Sequence, residues 1–297
     1  MSNDEPVGLV PLVEISSPLT GRRAVCLPFS DACGPLLFTD GHTGEIEKAV
    51  VRLARERQWN YLEFRGGEPL SELRPLPPAT FFGHRLRLES DPGLLFAQFR
   101  NGTRGAIRQA LKRDLDVEIS TDFEAVRQFY HLQTRTRRRH GLPPQPFRFF
   151  ANVHKHLIGE GGGFVVLVRT SRRAIAGAIL LRETTKAVYK FAASRARFRG
   201  TRANHLVLWR AIEHLCAGGC ELLDFGRTSL HNEGLRRFKL GWATDEHMIT
   251  YRRFETRKSR WTAAADRAPA RLYGWMFRAM PVTLNRLAGA VLYPHLD

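Results

Sequence analysis

Apolar residues recur along the chain at two spacings, and each spacing predicts one kind of element. Short apolar runs and strict alternation are typical of strands, whereas apolar residues at i, i+3 and i+4 are typical of amphipathic helices. The predicted strands cover residues 8–14, 22–27, 36–38, 61–64, 85–89, 164–169, 174–183, 186–193, 222–225 and 247–254. The predicted helices cover residues 43–58, 91–113 with an interruption at Asn101-Gly102, 121–139, 147–158, 204–217 and a short stretch that ends at Gly241.

Polar residues at the predicted helix starts indicate caps. Asp91 before Pro92 is the usual pairing of a cap with a proline in the first turn. Thr43 and Asn204 are predicted N-caps, and Thr121 with Glu124 has the spacing of a capping box.

The order of the elements predicts an α/β (α+β) fold with mixed sheets. Two strands, a helix and a strand ending in Tyr61-Leu62-Glu63-Phe64 are repeated before Leu222-Leu223-Asp224-Phe225. This internal echo predicts two copies of one fold, of which the first is incomplete because it has no counterpart of residues 122–169. The predicted divisions are a partial N-terminal domain, linker helices, a catalytic C-terminal domain and an amphipathic helical tail, at residues 1–90, 91–120, 121–255 and 256–297.

The predicted tail alternates apolar residues with arginines and is broken by Pro281. Two interpretations remain open for it. An amphipathic helical segment of this composition fits an anchor on the surface of an anionic membrane. It equally fits a segment that packs across the two domains.

Charge adds a class of partner to this picture. The chain of 297 residues has 46 Lys and Arg against 29 Asp and Glu, which gives a net charge of +17. Such an excess favours polyanions: nucleic acid, an anionic membrane surface or phosphate-bearing substrates. The clusters are Arg100, Arg104, Arg108 and Lys112; Arg135, Arg137, Arg138 and Arg139; Arg195, Arg197, Arg199 and Arg202; and Arg236, Arg237 and Lys239.

The four cysteines show neither CxxC spacing nor paired histidines, so we expect free thiols and no metal site. The first residues lack the basic and apolar regions of a signal peptide. No stretch reaches the roughly 18 apolar residues of a membrane span. We therefore expect a cytoplasmic protein that could act at the inner face of the membrane.

Residues 221–242, ELLDFGRTSLHNEGLRRFKLGW, concentrate the polar chemistry. The stretch predicts a buried strand, a polar turn at Gly226 and a short cationic helix. Ligands of α/β sheets bind where strands end and helices begin. The chemistry is therefore expected here.

The chain resembles the FemAB-type branch of the GNAT acyltransferase superfamily over most of residues 7–254. The resemblance rests on the order of PLVEISSPLTGRRAVCLPFSDACGPLL, FRNGTRGAIRQALKRDLDVEI, HLQTRTRRRHGLPPQPFRFF, VYKFAASRARFRGTRANHLVLWRAIEHLCAGG and LDFGRTSLHNEGLRRFKLGW. It implies twin GNAT-like domains and acyl transfer to an amine. In the best-known members, aminoacyl-tRNA donates an amino acid to a peptidoglycan precursor, and relatives are encoded with exopolysaccharide genes.

The family's Phe-Lys pair maps onto Phe238 and Lys239, which the resemblance places near the acyl end of the donor. Two departures stand out. Family members usually have an opening strand and helices before the first strands of this chain. The GNAT acyl-CoA loop follows R/Q-x-x-G-x-G/A, and here it would be 197–202, with Arg202 at the last small position. An arginine there crowds a pyrophosphate turn and favours a donor other than acetyl-CoA.

The candidate site residues follow from these patterns. Lys239 is predicted to stabilise the tetrahedral intermediate of acyl transfer, together with Phe238 and Asp224 as catalytic candidates. Asp224 could instead cap the following turn or pair with Arg227, Tyr189 could belong to the core, and Asn204 could be only a cap. The candidates for substrate or phosphate binding are Arg138, Arg202, Arg227, Tyr189 and Asn204.

Three functions are consistent with the sequence. The first is an N-acyltransferase that moves an aminoacyl or acyl group from aminoacyl-tRNA or acyl-CoA, with no tightly bound cofactor, to an amine of a lipid-linked cell-wall or polysaccharide precursor. The second is an acetyl-CoA-dependent N-acetyltransferase that acts on a sugar of a surface polysaccharide. The third is a non-catalytic protein of the same fold that binds tRNA or another polyanion.

Overall fold

The computed structural model describes residues 6–39, 41–67, 79–263 and 270–296. The strands within these ranges are β1 Gly8–Leu9, β2 Val13–Ser17, β3 Gly21–Val25, β4 Leu36–Leu37, β5 Tyr61–Arg65, β6 Ala79–Arg87, β7 Asp116–Ser120, β8 Gly163–Thr170, β9 Arg173–Glu183, β10 Lys186–Ser194, β11 Leu222–Ser229, β12 Asp245–Glu255 and β13 Arg260–Ala263. The helices are α1 Thr43–Glu56, α2 Pro92–Gln98, α3 Asn101–Leu111, α4 Phe123–Arg139, α5 Phe147–Val153, α6 Ala203–Ala217, α7 Glu233–Leu240, α8 Ala270–Ala279 and α9 Val282–Leu292.

One mixed sheet organises the described residues. Its order is β2-β3-β5-β12-β6-β11-β10-β9-β8-β7, with β13 paired to β12, while β1 and β4 form a separate pair. Helices pack on this sheet, and α8 and α9 end the described chain. The predicted α/β class, the mixed sheet and the helical tail are therefore confirmed.

The two similar segments of the sequence, which end at Phe64 and Phe225, have the same topology in the structure. In the first copy, β2 and β3 are antiparallel, α1 follows, and β5 pairs parallel to β3 from Arg23↔Tyr61 onward. In the second copy, β9 and β10 are antiparallel, α6 follows, and β11 pairs parallel to β10 from Lys186↔Leu222 onward. The same strand–strand–helix–strand unit is thus built twice.

The two copies exchange strands at the centre of the sheet. β6, which precedes the second copy, pairs antiparallel with β11, while β12, which follows that copy, pairs antiparallel with β5. β6 and β12 also pair with each other. This exchange satisfies strand edges that would otherwise be open. The boundaries predicted at residues 90, 120 and 255 stay a prediction.

The largest apolar core lies under α6, whose residues are buried on most sides because the helix is covered by the sheet and by α2 and α3. Trp242, which follows α7, is fully buried and meets Phe99 with ring centroids 5.1 Å apart. Phe99 also meets Trp209 of α6 at 5.9 Å. These rings fix α7 against α6 and the first linker helices.

The structure corrects several caps. The predicted Asp91 cap is confirmed, since its Oδ1 accepts a hydrogen bond from the Gly93 N–H at 2.7 Å. His42 occupies the N-cap position of α1, with Thr43 inside the helix. The N-cap of α4 is Asp122, so the Thr121 capping box is wrong, and Glu124 instead pairs with Arg127 along the helix.

The predicted cap of α6 is also wrong. Asn204 lies exposed in the first turn, and the N-cap position belongs to Arg202 at φ +61°. The Thr201 hydroxyl accepts from the Ala203 N–H at 3.3 Å and supplies the side-chain bond that was expected from Asn204. A 3₁₀ turn at Ala196–Thr201 leads directly into this cap, as is frequent at helix termini.

Four strand predictions change. Residues 8–14 hold two separate strands, β6 begins before residue 85, β7 was not predicted, and the tail opens with β13 instead of a helix. β7 is short and pairs with β8 from a distant part of the chain, which a local pattern does not show, whereas β13 pairs with β12, the strand just before it. Residues 264–269 and Asp297 of the predicted tail lie outside the described ranges.

β11 contains a bulge instead of the predicted turn at Gly226. Its register with β6 shifts between Asp224↔Arg85 and Arg227↔Gly83, so two residues of β11 oppose one of β6. Gly226 has φ +69°, and its N–H donates to the Asp224 carboxylate at 2.6 Å. The strand therefore continues past the glycine and turns its backbone locally.

Gly226→Ala is expected to destabilise the protein by about 2 kcal/mol or more, because alanine resists positive φ. A Cβ at this position would also meet the Asp31 Oδ2 at 2.3 Å. The matched control is Gly105→Ala, in the exposed middle of α3 with open space around the added Cβ. It should stabilise by up to about 1 kcal/mol. Chemical denaturation measures both changes, and equal effects would show that the bulge does not depend on glycine.

Candidate active site

A cleft between two parallel strands forms the candidate site. β10 and β11 pair only from Lys186↔Leu222 to Val188↔Asp224, although both strands continue to Ser194 and Ser229. Beyond these three pairs the two strands do not bond each other. The helices that follow them, α6 and α7, begin after the carboxyl ends of these two parallel strands. Such an edge is where ligands of α/β sheets bind.

Lys239 of α7 lies beneath the bulge of β11. Only 4% of its surface is exposed. Its Nζ donates to the Gly226 carbonyl oxygen at 2.7 Å and to the Arg227 carbonyl oxygen at 3.0 Å. An ammonium has three hydrogens, so two hold the bulge and one remains for another acceptor.

Burial sets the protonation of this lysine. Loss of solvent lowers the pKa of Lys239 from its ordinary 10.5 to about 8, against the opposing effect of Asp31 and Asp224. The ammonium is still the main form at neutral pH. Lys239 is therefore a desolvated positive charge fixed at the bulge.

The loop at residues 27–33 of the first copy reaches across to the bulge. The Phe29 carbonyl oxygen accepts from Lys190 Nζ of β10 at 2.5 Å, and the Asp31 carbonyl oxygen accepts from the Tyr251 hydroxyl at 2.6 Å. The Asp31 carboxylate pairs with Arg227, with Nε 3.6 Å from Oδ1. The loop thus contacts both strands of the cleft and β12.

Sequence reasoning did not select Asp31, Lys190 or Tyr251. Lys190 carries the one local signal, a lysine inside an otherwise apolar strand, and burial lowers its pKa. Burial also disfavours the charged form of Tyr251, which raises its pKa to about 12. Asp31 is distant in sequence from every group that it meets, so no spacing pattern reveals it.

Asp224 and Arg227 lie at the bulge. Of the two structural alternatives for Asp224, the structure shows the cap and not the pair with Arg227. Asp224 caps the Gly226 N–H and contacts Arg85, with Nε 3.4 Å from Oδ2. The Arg227 guanidinium pairs with Asp31 and lies 4.5 Å from the Phe81 ring centroid. Both residues shape the bulge, and their catalytic or binding roles stay predictions.

Phe238 points away from its neighbour Lys239, since consecutive residues of a helix diverge by about 100°. Its ring meets His205 of α6 at 5.4 Å and Trp242 at 6.1 Å. Burial and the nearby Arg202 lower the pKa of His205 to about 4, so this histidine is neutral at pH 7. Phe238 therefore connects α7 to the start of α6.

The other predicted residues have different surroundings. Tyr189 packs on the main core, 6.0 Å from the Phe225 ring, and burial raises its pKa. Asn204 is exposed on the first turn of α6. Tyr189 thus packs with the core, and Asn204 lies on the surface at the start of α6.

Arginines line the start of α6. Arg202 is exposed, and its Nε donates to the Gln109 side chain at 3.2 Å. Arg139 donates from Nη1 to the Ser194 carbonyl oxygen at 2.8 Å, and its pKa is lowered by burial and by Arg199. Arg138 instead bonds the Arg278 carbonyl oxygen of α8 at 3.2 Å. Arg139 is thus the arginine of α4 that reaches the end of β10.

This arrangement suits an anionic ligand more than a metal. No group of three or more potential metal-ligating side chains occurs in the part of the chain that the structure describes. The cleft offers two strand ends that do not bond each other, a buried ammonium and a cationic rim. Such groups can hold a phosphate-bearing donor and stabilise negative charge on a reacting carbonyl oxygen.

Comparisons with known proteins bear on the fold that carries this site. Residues 97–240 match the model of the acetyltransferase (GNAT) domain. A search of curated protein sequences finds no match. Among solved structures, FemX has a TM-score of 0.60 at 17% identity, with 84% of this chain and 85% of FemX covered.

Two further solved structures are similar. The C-terminal domain of a putative lysylphosphatidylglycerol synthetase from Agrobacterium fabrum has a TM-score of 0.55 at 12% identity, covering 81% of this chain and 78% of that one. A tandem GNAT protein from the clavulanic acid biosynthesis pathway has a TM-score of 0.52 at 11% identity, covering 79% and 75%. The predicted tandem arrangement and the predicted resemblance are confirmed for the fold: residues 97–240 match a GNAT domain, and the chain has a tandem GNAT-like fold similar to that of FemX.

Proposed function

We propose that the protein is an N-acyltransferase that transfers an aminoacyl or acyl group to an amine of a cell-envelope precursor. The observation that carries the proposal is the buried Lys239 ammonium, fixed under the bulge of β11 at the open end of the β10–β11 cleft. The GNAT-type fold supports acyl transfer as the reaction class.

The chemistry places negative charge near the cleft. Attack of a neutral amine on the acyl carbonyl forms a tetrahedral intermediate whose oxygen is negative. Lys239 has one ammonium hydrogen beyond the two that bond Gly226 and Arg227. Its electrostatic field acts in a desolvated setting, where a fixed charge stabilises the intermediate more than it would in water.

The donor would bind through its phosphates at the start of α6. Arg202 and Arg199 lie in the segment between β10 and α6, and Arg139 reaches the end of β10. Aminoacyl-tRNA and acyl-CoA both carry the phosphates that such a site holds. Acetyl-CoA is the second candidate, favoured by the match of residues 97–240 to the GNAT domain model.

The proposed class of acceptor is based on the similarity of the fold to two solved structures. The lysylphosphatidylglycerol synthetase domain has a name that refers to a membrane lipid, FemX gives its name to the FemAB-like type of fold, and both are under 20% identical to this chain. We therefore propose an amine of a peptidoglycan or exopolysaccharide precursor as the acceptor. The loop 27–33 is the part of the first copy that would face it, because that loop contacts both strands of the cleft.

Lys239→Met is expected to lower kcat by about 100- to 1,000-fold, because the charge that stabilises the intermediate is lost. Transfer from labelled aminoacyl-tRNA or acetyl-CoA measures the effect. The matched control is Arg237→Met, an exposed cation on the same helix, which should stay within about twofold of wild type.

Thermal unfolding of both variants separates a catalytic loss from misfolding. Undiminished kcat in a folded Lys239→Met protein would remove Lys239 from the mechanism. No turnover of wild type with any donor, together with tRNA binding that weakens steeply with salt, would identify a polyanion-binding protein instead.

The activity is expected to depend on pH through Lys239. Its lowered pKa means that the ammonium predominates below about 8 and is lost above it. The ratio of wild-type to Lys239→Met activity should therefore fall as pH rises through about 8. The ratio cancels the titration of the acceptor amine. A ratio that rises through this range would show that the neutral amine of Lys239 is the active form and acts as a base.

Arg202→Gly is expected to act in opposite directions on the two donors. Glycine accepts the φ of +61° at this position, so the start of α6 is preserved. Loss of the guanidinium should raise KM for aminoacyl-tRNA by about tenfold. The same change creates the small residue of the acyl-CoA loop pattern, so a lower KM for acetyl-CoA with no effect on aminoacyl-tRNA would favour the second candidate. The control is Arg210→Ala, which removes another arginine of α6 and should leave both KM values unchanged. Alanine is used at this position because glycine inside a helix is destabilising.

A further inference from the structure

The α8–α9 hairpin lies on one surface of the protein. α8 packs through Gly274 and Phe277, and the Gly141 backbone lies against Gly274. α9 packs through Asn285 and Gly289, and a Cβ at Gly289 would meet the Pro144 carbonyl oxygen at 2.1 Å. Both helices therefore rest on the same segment, residues 141–144, and their opposite faces point away from it together.

The outward faces are apolar. On α8, Trp275 is 71% exposed and Met276 lies beside it. On α9, Leu284, Leu287 and Val291 form a stripe, with Leu287 63% and Val291 66% exposed. A helix on the surface of a water-soluble protein normally shows water its polar face. Here the faces opposite the buried residues are the apolar ones, in two successive helices.

The surroundings of this apolar surface are cationic. The described residues 270–296 include three arginines and no aspartate or glutamate. Arg278 lies exposed on α8, and Arg286 lies 5.2 Å from the Tyr130 ring of α4. α4 adds the exposed Arg135 and also Arg127, which pairs with Glu124 on the same helix. Apolar and aromatic residues within a rim of arginines match the interface of an anionic bilayer.

A second copy of the chain fits this surface less well. Two copies would bring like-charged rims together, in a protein whose net charge is +17. Spanning a bilayer does not fit either, since none of the described helices is long and apolar enough to cross one. Helices of 10 and 11 residues joined at Pro281 suit a position in the plane of the membrane surface.

We propose that the α8–α9 hairpin docks the protein on the surface of an anionic membrane. Trp275, Leu284, Leu287 and Val291 would enter the boundary between headgroups and acyl chains, while the arginines contact lipid phosphates. The hairpin would insert without unfolding, because the bond from Asn285 Nδ2 to the Phe277 carbonyl oxygen at 3.1 Å joins its two helices, and the bond from Arg138 Nε to the Arg278 carbonyl oxygen at 3.2 Å holds it on α4. This docking does not depend on acyl transfer.

Vesicle flotation tests the proposal with the full chain. Wild type is expected to bind phosphatidylcholine vesicles that contain about 30% phosphatidylglycerol and to bind pure phosphatidylcholine at least about tenfold more weakly. Trp275 reports insertion directly, because it is the exposed tryptophan, whereas Trp59, Trp209 and Trp242 are buried and Trp261 is half-buried. Its fluorescence should shift to the blue on binding, and the shift should vanish in Trp275→Ala.

Leu287→Glu/Val291→Glu should weaken binding to the anionic vesicles by at least about tenfold. Leu94→Glu/Leu111→Glu is the matched control, since it exchanges two exposed leucines of α2 and α3 for the same charges. That control should stay within about threefold of wild type. Equal losses in both variants would show that binding depends only on the net charge of the protein, and this would overturn the proposal.

Two further results would also overturn it. One is a dimer in analytical ultracentrifugation that dissociates in the α9 variant but not in the control, which would assign the surface to a second copy. The other is tRNA binding that depends on the α9 stripe, with no binding to vesicles. Acyl transfer to a water-soluble acceptor should be unchanged in the α9 variant, so failure of docking and failure of the proposed reaction are distinguishable.

Discussion

The site depends on one interaction, the buried ammonium of Lys239 against the carbonyl oxygens of Gly226 and Arg227. A bulge leaves backbone groups unpaired, and a buried carbonyl without a donor is costly. A buried ammonium without acceptors is more costly still. Each group therefore stabilises the other, and the result is a fixed positive charge at the open end of two splayed strands.

The first copy contributes to the same place. Its loop 27–33 reaches the bulge through Asp31 and the cleft through the Phe29 carbonyl oxygen. Phe29 also stacks on Tyr293, with ring centroids 4.7 Å apart, at the end of the hairpin segment. One loop thus lies between the cleft and the surface that we assign to the membrane, a placement suited to an acceptor that arrives on a lipid.

Local patterns were sufficient wherever the structure follows local physics. The helical spacing of apolar residues located α1, α4 and α6, and the echo around Tyr61 and Leu222 revealed the repeated unit. Predictions that needed a distant partner were incomplete. β7 is a short strand defined by its pairing with the distant β8, and the N-cap of α6 is Arg202, with the side-chain bond supplied by Thr201 instead of Asn204.

The sequence by itself determined the fold class, the tandem unit, the cationic character and the segment that carries Lys239. These properties depend on periodicity, composition and the order of elements, which are all local or additive along the chain. The tertiary structure alone decided that Gly226 forms a bulge, that Lys239 supports it, that Arg227 pairs with Asp31, and that the apolar faces of α8 and α9 point outward. Each of these depends on contacts between distant residues or on which face of an element is covered, and no spacing pattern along the chain encodes them.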